Sequence, residues 1–248
     1  VEVTEGVLQG PCEKLNEIFF HFIRTKTPYV IMKYAMTMDG KLACVSGASR
    51  WITGETARKK VHEDRNQYTA IMVGVGTVLA DDPLLTCRLP QGRNPVRIVC
   101  DTHLRTPVYA QVVATASQTR TILASCCTDP ERREPYLEAG CELLAVPEKN
   151  GHLDLAALME KLGAKGIDSI LLEGGAELHW SALQAGIVQK VQAYIGTKLF
   201  GGQKAPSPVG GTGVPTPEEA FRLAPPAVTV LGEDLLLESE VIPCSPES

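Results

Sequence analysis

The sequence predicts an α/β protein built on a mixed, mostly parallel sheet, and three observations carry that expectation. Short apolar runs recur at Tyr29 to Met36, Ala70 to Val75, Val96 to Cys100, Thr121 to Ala124, Cys141 to Val146, Ile170 to Leu172 and Lys190 to Ile195, several of them separated by stretches of helical spacing. Strands that alternate with helices pair in parallel through helical crossovers. The run Ile170-Leu171-Leu172 has no polar face, as expected of a strand covered on both sides. Finally, Val228 to Leu231 and Leu235 to Leu237 flank Gly232-Glu233-Asp234, the pattern of a terminal hairpin with at least one antiparallel strand.

Taken in order, Leu8 to Ile23 carries Leu15, Ile18, Phe19, Phe22 and Ile23 at helical spacing, and Pro28 ends it. Tyr29 to Met36 is the first strand; Asp39-Gly40 turns the chain after it. Thr53 opens a helix that runs to Tyr68. The next strand, Ala70 to Val75, runs into Gly76-Thr77 and the acidic pair Asp81-Asp82 before Pro83, a turn signal. Leu153 to Leu162 is a short amphipathic helix with Asp154 in its cap region. Gly201 to Pro217 is rich in Gly and Pro and is expected as a loop, and residues 243–248 as a frayed tail.

The totals bound the function. With 248 residues, 44% of them hydrophobic, the chain can bury one large core or two small ones. A net charge of −5 argues against a protein that grips nucleic-acid backbones. No apolar run approaches the roughly 20 residues of a membrane helix. The first residues, Val1 to Glu5, are polar and acidic rather than a signal peptide, and the chain opens on Val1 instead of Met, so a piece of a longer chain is expected. Eight cysteines, none in Cys-x-x-Cys, read as free and largely buried thiols of a reducing cytoplasm. The five histidines lack metal-ligand spacing, so no metal is expected.

Candidate chemistry gathers after strand ends, where open α/β sheets place their ligands. Glu173-Gly174-Gly175 follows the Ile170 to Leu172 strand and precedes a helical pattern with Leu178, Trp180 and Leu183. Glycines there let a pyrophosphate approach, and free N–H groups at the helix start face it. On spacing alone a plain tight turn is equally probable, because this is not Gly-x-Gly-x-x-Gly. Lys41, in the turn after the first strand, is a possible proton donor or an ordinary surface lysine. Trp51 can stack on a flat ring or pack in a core. Arg58, Arg65 and Arg88 are each able to fork onto a phosphate.

Three blocks together resemble a known family. They are Ala35-Met36-Thr37-Met38-Asp39-Gly40-Lys41 with Ser49, Trp51, Ile52 and Thr53; Gly74-Val75-Gly76-Thr77 through Asp81-Asp82-Pro83, Leu85-Thr86 and Arg88; and Leu172-Glu173-Gly174-Gly175. They resemble the pyrimidine reductase of the riboflavin pathway, in bacteria usually the C-terminal half of the bifunctional RibD/RibG deaminase–reductase. The resemblance implies a dihydrofolate-reductase-like three-layer fold over residues 28–242. It further implies NADPH-dependent reduction of the ribosyl group of 5-amino-6-(5-phosphoribosylamino)uracil, in a cytoplasmic homodimer. Alternatives of the same fold are a reductase of a pterin-like heterocycle and an inactive ligand-binding domain.

By position in these motifs, Lys41 and Glu173 are expected to be catalytic. Ser49, Arg65, Leu85, Arg88 and Glu173 are expected at the phosphorylated pyrimidine. Ala35, Trp51, Thr77, Asp81, Thr102, Gly174, Gly175, Ala176, Glu177 and Leu178 are expected at NADP. Thr102 and Arg105 are the open candidates for reading the 2′-phosphate. Residues 1–27 resemble the tail of a preceding deaminase half, but the deaminase zinc signature is missing: Pro11-Cys12 is followed by no second cysteine, so no deaminase activity is expected of this chain.

Overall fold

In the computed structural model, which describes residues 3–243, nine strands form one sheet. The strands are β1 (Tyr29–Thr37), β2 (Ala70–Gly74), β3 (Val96–Cys100), β4 (Thr121–Ser125), β5 (Glu142–Ala145), β8 (Ser169–Leu172), β9 (Lys190–Gly196), β10 (Ala227–Leu231) and β11 (Asp234–Glu240). Their spatial order is β10-β11-β9-β1-β8-β2-β3-β4-β5. All pairs from β9 to β5 are parallel, and β11 is antiparallel to both its neighbours. Beside the sheet, β6 (Glu148–Lys149) and β7 (His152–Leu153) make a small separate hairpin.

Period-two alternation along the strands divides the core into layers. Val30, Met32, Met72, Ile98, Ile122, Ile170 and Leu172 point to one face. There they meet Leu155, Leu158, Met159 and Leu162 of α7 (Leu155–Ala164) and Ala182 and Leu183 of α8 (Ala176–Gln184). On the other face Ile71, Val73, Val99 and Leu123 pack on α4 (Val75–Asp81), α5 (Gln111–Ala114) and Tyr136 of α6 (Pro130–Glu138). Further along that sheet, Tyr194 and Leu236 meet Ala57 of α3 (Glu55–Gln67). The mostly parallel mixed sheet, its flanking helices and the terminal hairpin are as the sequence predicts.

Several local expectations are corrected. The N-terminal helical stretch is two helices, α1 (Gln9–Leu15) and α2 (Glu17–Thr25), broken at Asn16, and its apolar residues Leu15, Phe19 and Ile23 are exposed. The α3 helix is capped at Gly54 rather than Thr53; the cap N–H donates to the Asp234 carboxylate at 2.6 Å, which ties α3 to the terminal hairpin. Val75, expected as the end of the second strand, instead opens α4 (residues 75–81), with Asp82 in the left-handed region at φ 40°. Asp154 caps α7 as expected, accepting from the N–H groups of Ala156 and Ala157. Cys100 and Cys141 are buried, but Cys12 is exposed and the other four described cysteines are half-buried; all seven are free thiols, and Cys244 lies outside the described residues. Among the described residues no helix is long and apolar enough to cross a membrane.

Candidate active site

Strand register brings the first two polar groups together. Along β1 the residues Tyr29 to Met32 are buried, and Lys33 is the first charged side chain to follow. Parallel pairing sets Met32 beside Leu172 of β8, so the next residues of the two strands, Lys33 and Glu173, become neighbours. Their charged groups are 3.8 Å apart, with side chains 13% and 11% exposed. Arg65, in the last turn of α3, grips the same carboxylate with two hydrogen bonds, Nε to Oε1 at 2.7 Å and Nη2 to Oε2 at 2.8 Å. Its Nη1 donates to the Thr86 carbonyl at 3.1 Å.

The electrostatics follow from that packing. Burial would raise the Glu173 pKa, but Arg65 and Lys33 outweigh it and hold the carboxyl at about 2. Burial lowers the Lys33 pKa, partly offset by Glu173. The Lys33 ammonium also lies 5.5 Å from the centre of the Tyr194 ring, a cation–π contact. The Tyr194 hydroxyl donates to buried Asp64 at 2.9 Å. His62 stands at the edge of this cluster, where burial and the charges of Arg65 and Arg88 lower its pKa.

The glycine turn after β8 forms the adjoining floor. A Cβ on Gly174 would stand 3.0 Å from the Val73 Cα, so glycine is what lets the turn lie against β2. The Gly174 N–H is not free: it donates to His179 Nε2 at 3.3 Å, while His179 Nδ1 lies 2.8 Å from the Pro208 carbonyl. Nδ1 therefore carries the proton. Burial lowers the His179 pKa, in keeping with a neutral ring. The groups left for an anion are the first-turn N–H groups of α8, at Ala176 and Glu177, which have no partner within the helix. Glu177 accepts from the Gly211 N–H at 3.0 Å, which fixes part of the Gly- and Pro-rich loop over this helix start.

These elements enclose a cleft of about 700 Å³ across the C-terminal ends of β1, β8, β2 and β3. Of the residues expected from sequence, Ala35, Ser49, Thr77, Asp81, Thr102, Glu173, Gly174, Gly175, Ala176, Glu177 and Leu178 line it together. Lys41, Trp51, Arg65, Leu85 and Arg88 are not among its lining residues. Arg65 touches it through Glu173. Leu85 is buried in the core at φ 53°. Arg88 is exposed, with its backbone N–H on His62 Nδ1. Trp51 is 56% exposed, with the Arg58 guanidinium 4.5 Å from its ring centre. Lys41 stands in the turn closed by its N–H to Thr37 Oγ1 and does not line the cleft, whereas the cations Lys33 and Arg105 do. Sequence reading missed Lys33, although a lysine inside an apolar strand was a signal on the page.

A mostly parallel α/β sheet with a cleft at its strand ends, a glycine-floored helix start and a buried cation–carboxylate cluster is the arrangement in which open α/β proteins present a small-molecule site. A profile of the RibD C-terminal domain matches residues 28–237, and the chain belongs to that family. The chain is 51% identical over 242 residues to riboflavin biosynthesis protein RibD of Actinobacillus pleuropneumoniae, covering 98% of this chain and 64% of that protein. It therefore spans about two thirds of the length of such relatives. It is 39% identical over 217 residues to the 2,5-diamino-6-ribosylamino-4(3H)-pyrimidinone 5′-phosphate reductase of Methanothermobacter thermautotrophicus, covering 86% of this chain and 98% of that one. Among solved structures, the Thermotoga maritima diaminohydroxyphosphoribosylaminopyrimidine deaminase/5-amino-6-(5-phosphoribosylamino)uracil reductase superposes with a TM-score of 0.77 at 32% identity, covering 98% of this chain and 64% of that one.

Proposed function

We propose that the chain reduces the ribosyl group of 5-amino-6-(5-phosphoribosylamino)uracil to its open-chain ribityl form, with NADPH as reductant. The observation that carries this reading is the Lys33–Glu173–Arg65 cluster at the edge of the glycine-floored cleft. A dinucleotide fits the residues present: the first N–H groups of α8 suit a pyrophosphate, and Ala35, Thr77, Asp81 and Thr102 line the same cleft. The reduced nicotinamide supplies the hydride.

The protein supplies the rest. Reduction of the sugar's electrophilic carbon places electrons on the attached oxygen or imine nitrogen, which must then receive a proton. Lys33, desolvated and beside that end of the cleft, is suited to give it, because a lowered pKa brings an ammonium closer to the working pH. Glu173, locked by Arg65, accepts a hydrogen bond from the substrate and fixes its orientation. Lys41, first expected in the proton-donor role, is assigned none. Arg88 and the remaining N–H groups of Arg65 are available to the substrate phosphate.

The test is absorbance of reduced nicotinamide in the presence of chemically prepared pyrimidine. Steady oxidation that depends on the pyrimidine supports the reading, and none at saturating enzyme would sink it. Because the archaeal relative is named for the 2,5-diamino pyrimidinone, the same assay with that compound ranks the two substrates. The reading includes residues 28–242 as the catalytic unit, residues 1–27 as a lead-in from a deaminase half of a longer chain, and a cytoplasmic homodimer. Sedimentation of the chain tests the dimer.

A further inference from the structure

Beside the Lys33–Glu173–Arg65 cluster lies a second buried carboxylate with no part in the chemistry above. Lys33 and Tyr194 stand on neighbouring parallel strands: Ala35 pairs with Tyr194, and Lys33, two residues before Ala35, points to the same face. Helix α3 packs on that face through Ala57, and the side chain of its Asp64 is only 1% exposed. Asp64 Oδ2 accepts the Tyr194 hydroxyl at 2.9 Å, and Oδ1 accepts from Lys60, one turn earlier on the same helix. Tyr194 is fully buried, with the Lys33 ammonium over its ring. One phenol therefore meets the cation with its ring and the carboxylate with its hydroxyl.

Charge balance gives that carboxylate a meaning. Glu173 lies 3.8 Å from Lys33, but Arg65 already holds both of its oxygens. Two desolvated cations that share one carboxylate favour loss of a proton from the amine. Asp64, the residue before Arg65, adds a second buried anion and restores the balance. A phenol that donates to a carboxylate gains electron density on its ring, and a richer ring holds a cation more firmly. Other titratable groups surround the pair. Tyr68, Glu238 and the partly exposed Lys60 act on Asp64, and His62 and His179 stand near Lys33. Glu238 is half-buried and accepts from Gln192 at 3.0 Å. Burial lowers the pKa of both histidines, which keeps them neutral.

We propose that Asp64 is a positioning residue for the proton donor: through the Tyr194 ring, which it holds and polarises, it keeps Lys33 protonated in a site that would otherwise discharge it. The proposal rests on the reading of Lys33 as proton donor and deepens it by naming what keeps a buried ammonium loaded. Removing the Asp64 charge makes the ammonium easier to deprotonate, so Lys33 loses its proton at lower pH. Between charges of one partly buried cluster the effect is about one pH unit.

The test reads Lys33 directly as well as through turnover. The full chain is labelled with carbon-13 at lysine Cε, and the Lys33 resonance, assigned by its absence from Lys33→Met, is titrated by NMR. Asp64→Asn keeps the shape of the side chain and an acceptor for Tyr194, while Tyr194→Phe keeps the ring and cuts its link to Asp64. The expected result is a Lys33 titration about one pH unit lower in Asp64→Asn and about half that in Tyr194→Phe. The alkaline limb of pyrimidine-dependent nicotinamide oxidation is expected to move down with it. A purely structural Asp64 would lower Tm and move neither curve. Should Asp64→Asn fail to fold, Tyr194→Phe decides alone, since it leaves Asp64 paired with Lys60. A Lys33 titration unmoved in the folded variants overturns the proposal and leaves the reductase reading intact. A titration that moves while the alkaline limb stays in place overturns Lys33 as the proton donor, and with it the role given to Asp64.

Discussion

Arg65 and Glu173 are joined side by side: two hydrogen bonds of 2.7 and 2.8 Å link a guanidinium at the end of α3 to a carboxylate at the end of β8. The pair connects a helix to the middle of the sheet and fixes the carboxylate that lies 3.8 Å from the Lys33 ammonium. With side chains 14% and 11% exposed, it is a buried pair. Removing one partner leaves the other charge desolvated, so Arg65→Ala is expected to cost about 3–5 kcal/mol of stability. Arg65→Lys keeps the charge but not the fork, and is expected to cost about 1–2 kcal/mol. Urea denaturation of the two variants checks the order; equal midpoints for Arg65→Ala and wild type would show that the pair carries no stability.

The same pair makes stability pH-dependent. The folded-state pKa of Glu173, about 2, lies below its ordinary value of 4.5. A depressed acid contributes stability that is fully present above the unfolded value and is lost as pH falls through the folded one. The window is therefore pH 4.5 down to 2, and the loss attributable to this group is roughly 3 kcal/mol. Glu173→Gln removes the titrating group, so its stability is expected to fall less steeply across that window. Parallel slopes for the two proteins in chemical denaturation between pH 4.5 and 2 would contradict this.

Features that depend on local chain chemistry were legible in the sequence. The β8 strand and its glycine turn, the Asp154 cap and the terminal hairpin each declare themselves within a few residues. Residues 75–81 did not, because Gly74 and Gly76 signal a break while α4 is held by Val75 and Val78 packing under the sheet. The α6 helix carries Pro135 in its interior, which argues against a helix, yet Asp129 caps it, Pro130 suits its first position and Tyr136 anchors it in the core. The Lys33–Glu173 contact depends on the register of two strands far apart in the chain, which no local pattern encodes. Gly174 was legible as a ligand-facing glycine, but its tight fit on Val73 and the use of its N–H by His179 were not.

Two glycines of the cleft should therefore behave oppositely. Gly174→Ala forces a methyl against the Val73 backbone at 3.0 Å. That is expected to destabilise the fold by about 1–3 kcal/mol and to weaken the dinucleotide by shifting the turn. Gly76 lies inside α4, and a Cβ there meets nothing within 4 Å. Gly76→Ala is expected to stabilise by about 0.5–1 kcal/mol through helix propensity. Its methyl projects from a residue that lines the cleft, so dinucleotide affinity is expected to fall even as Tm rises. Thermal melts with cofactor titration separate the two; a Gly174→Ala protein as stable as wild type would contradict the packing argument.

The assignment of proton donor turns on two lysines with different surroundings. Lys33 is nearly buried, contacts Glu173 and faces the Tyr194 ring, and burial lowers its pKa. Lys41 is half-buried in a turn and does not line the cleft. Lys33→Met keeps the length and packing of the stem while removing the proton. Glu173 keeps both bonds to Arg65, so stability is expected to hold within about 1 kcal/mol or to rise, because a desolvated ammonium is replaced by an apolar group. Turnover is expected to fall by about 10²–10⁴, the usual worth of a positioned general acid. Lys41→Met is expected to leave kcat within about twofold, since substitutions away from such groups usually change little. Measuring kcat and Tm on the same preparations distinguishes a catalytic lysine from a structural one: lost stability with turnover in proportion to the folded fraction would make Lys33 a packing residue, and a collapse of kcat in Lys41→Met alone would return the role to the turn.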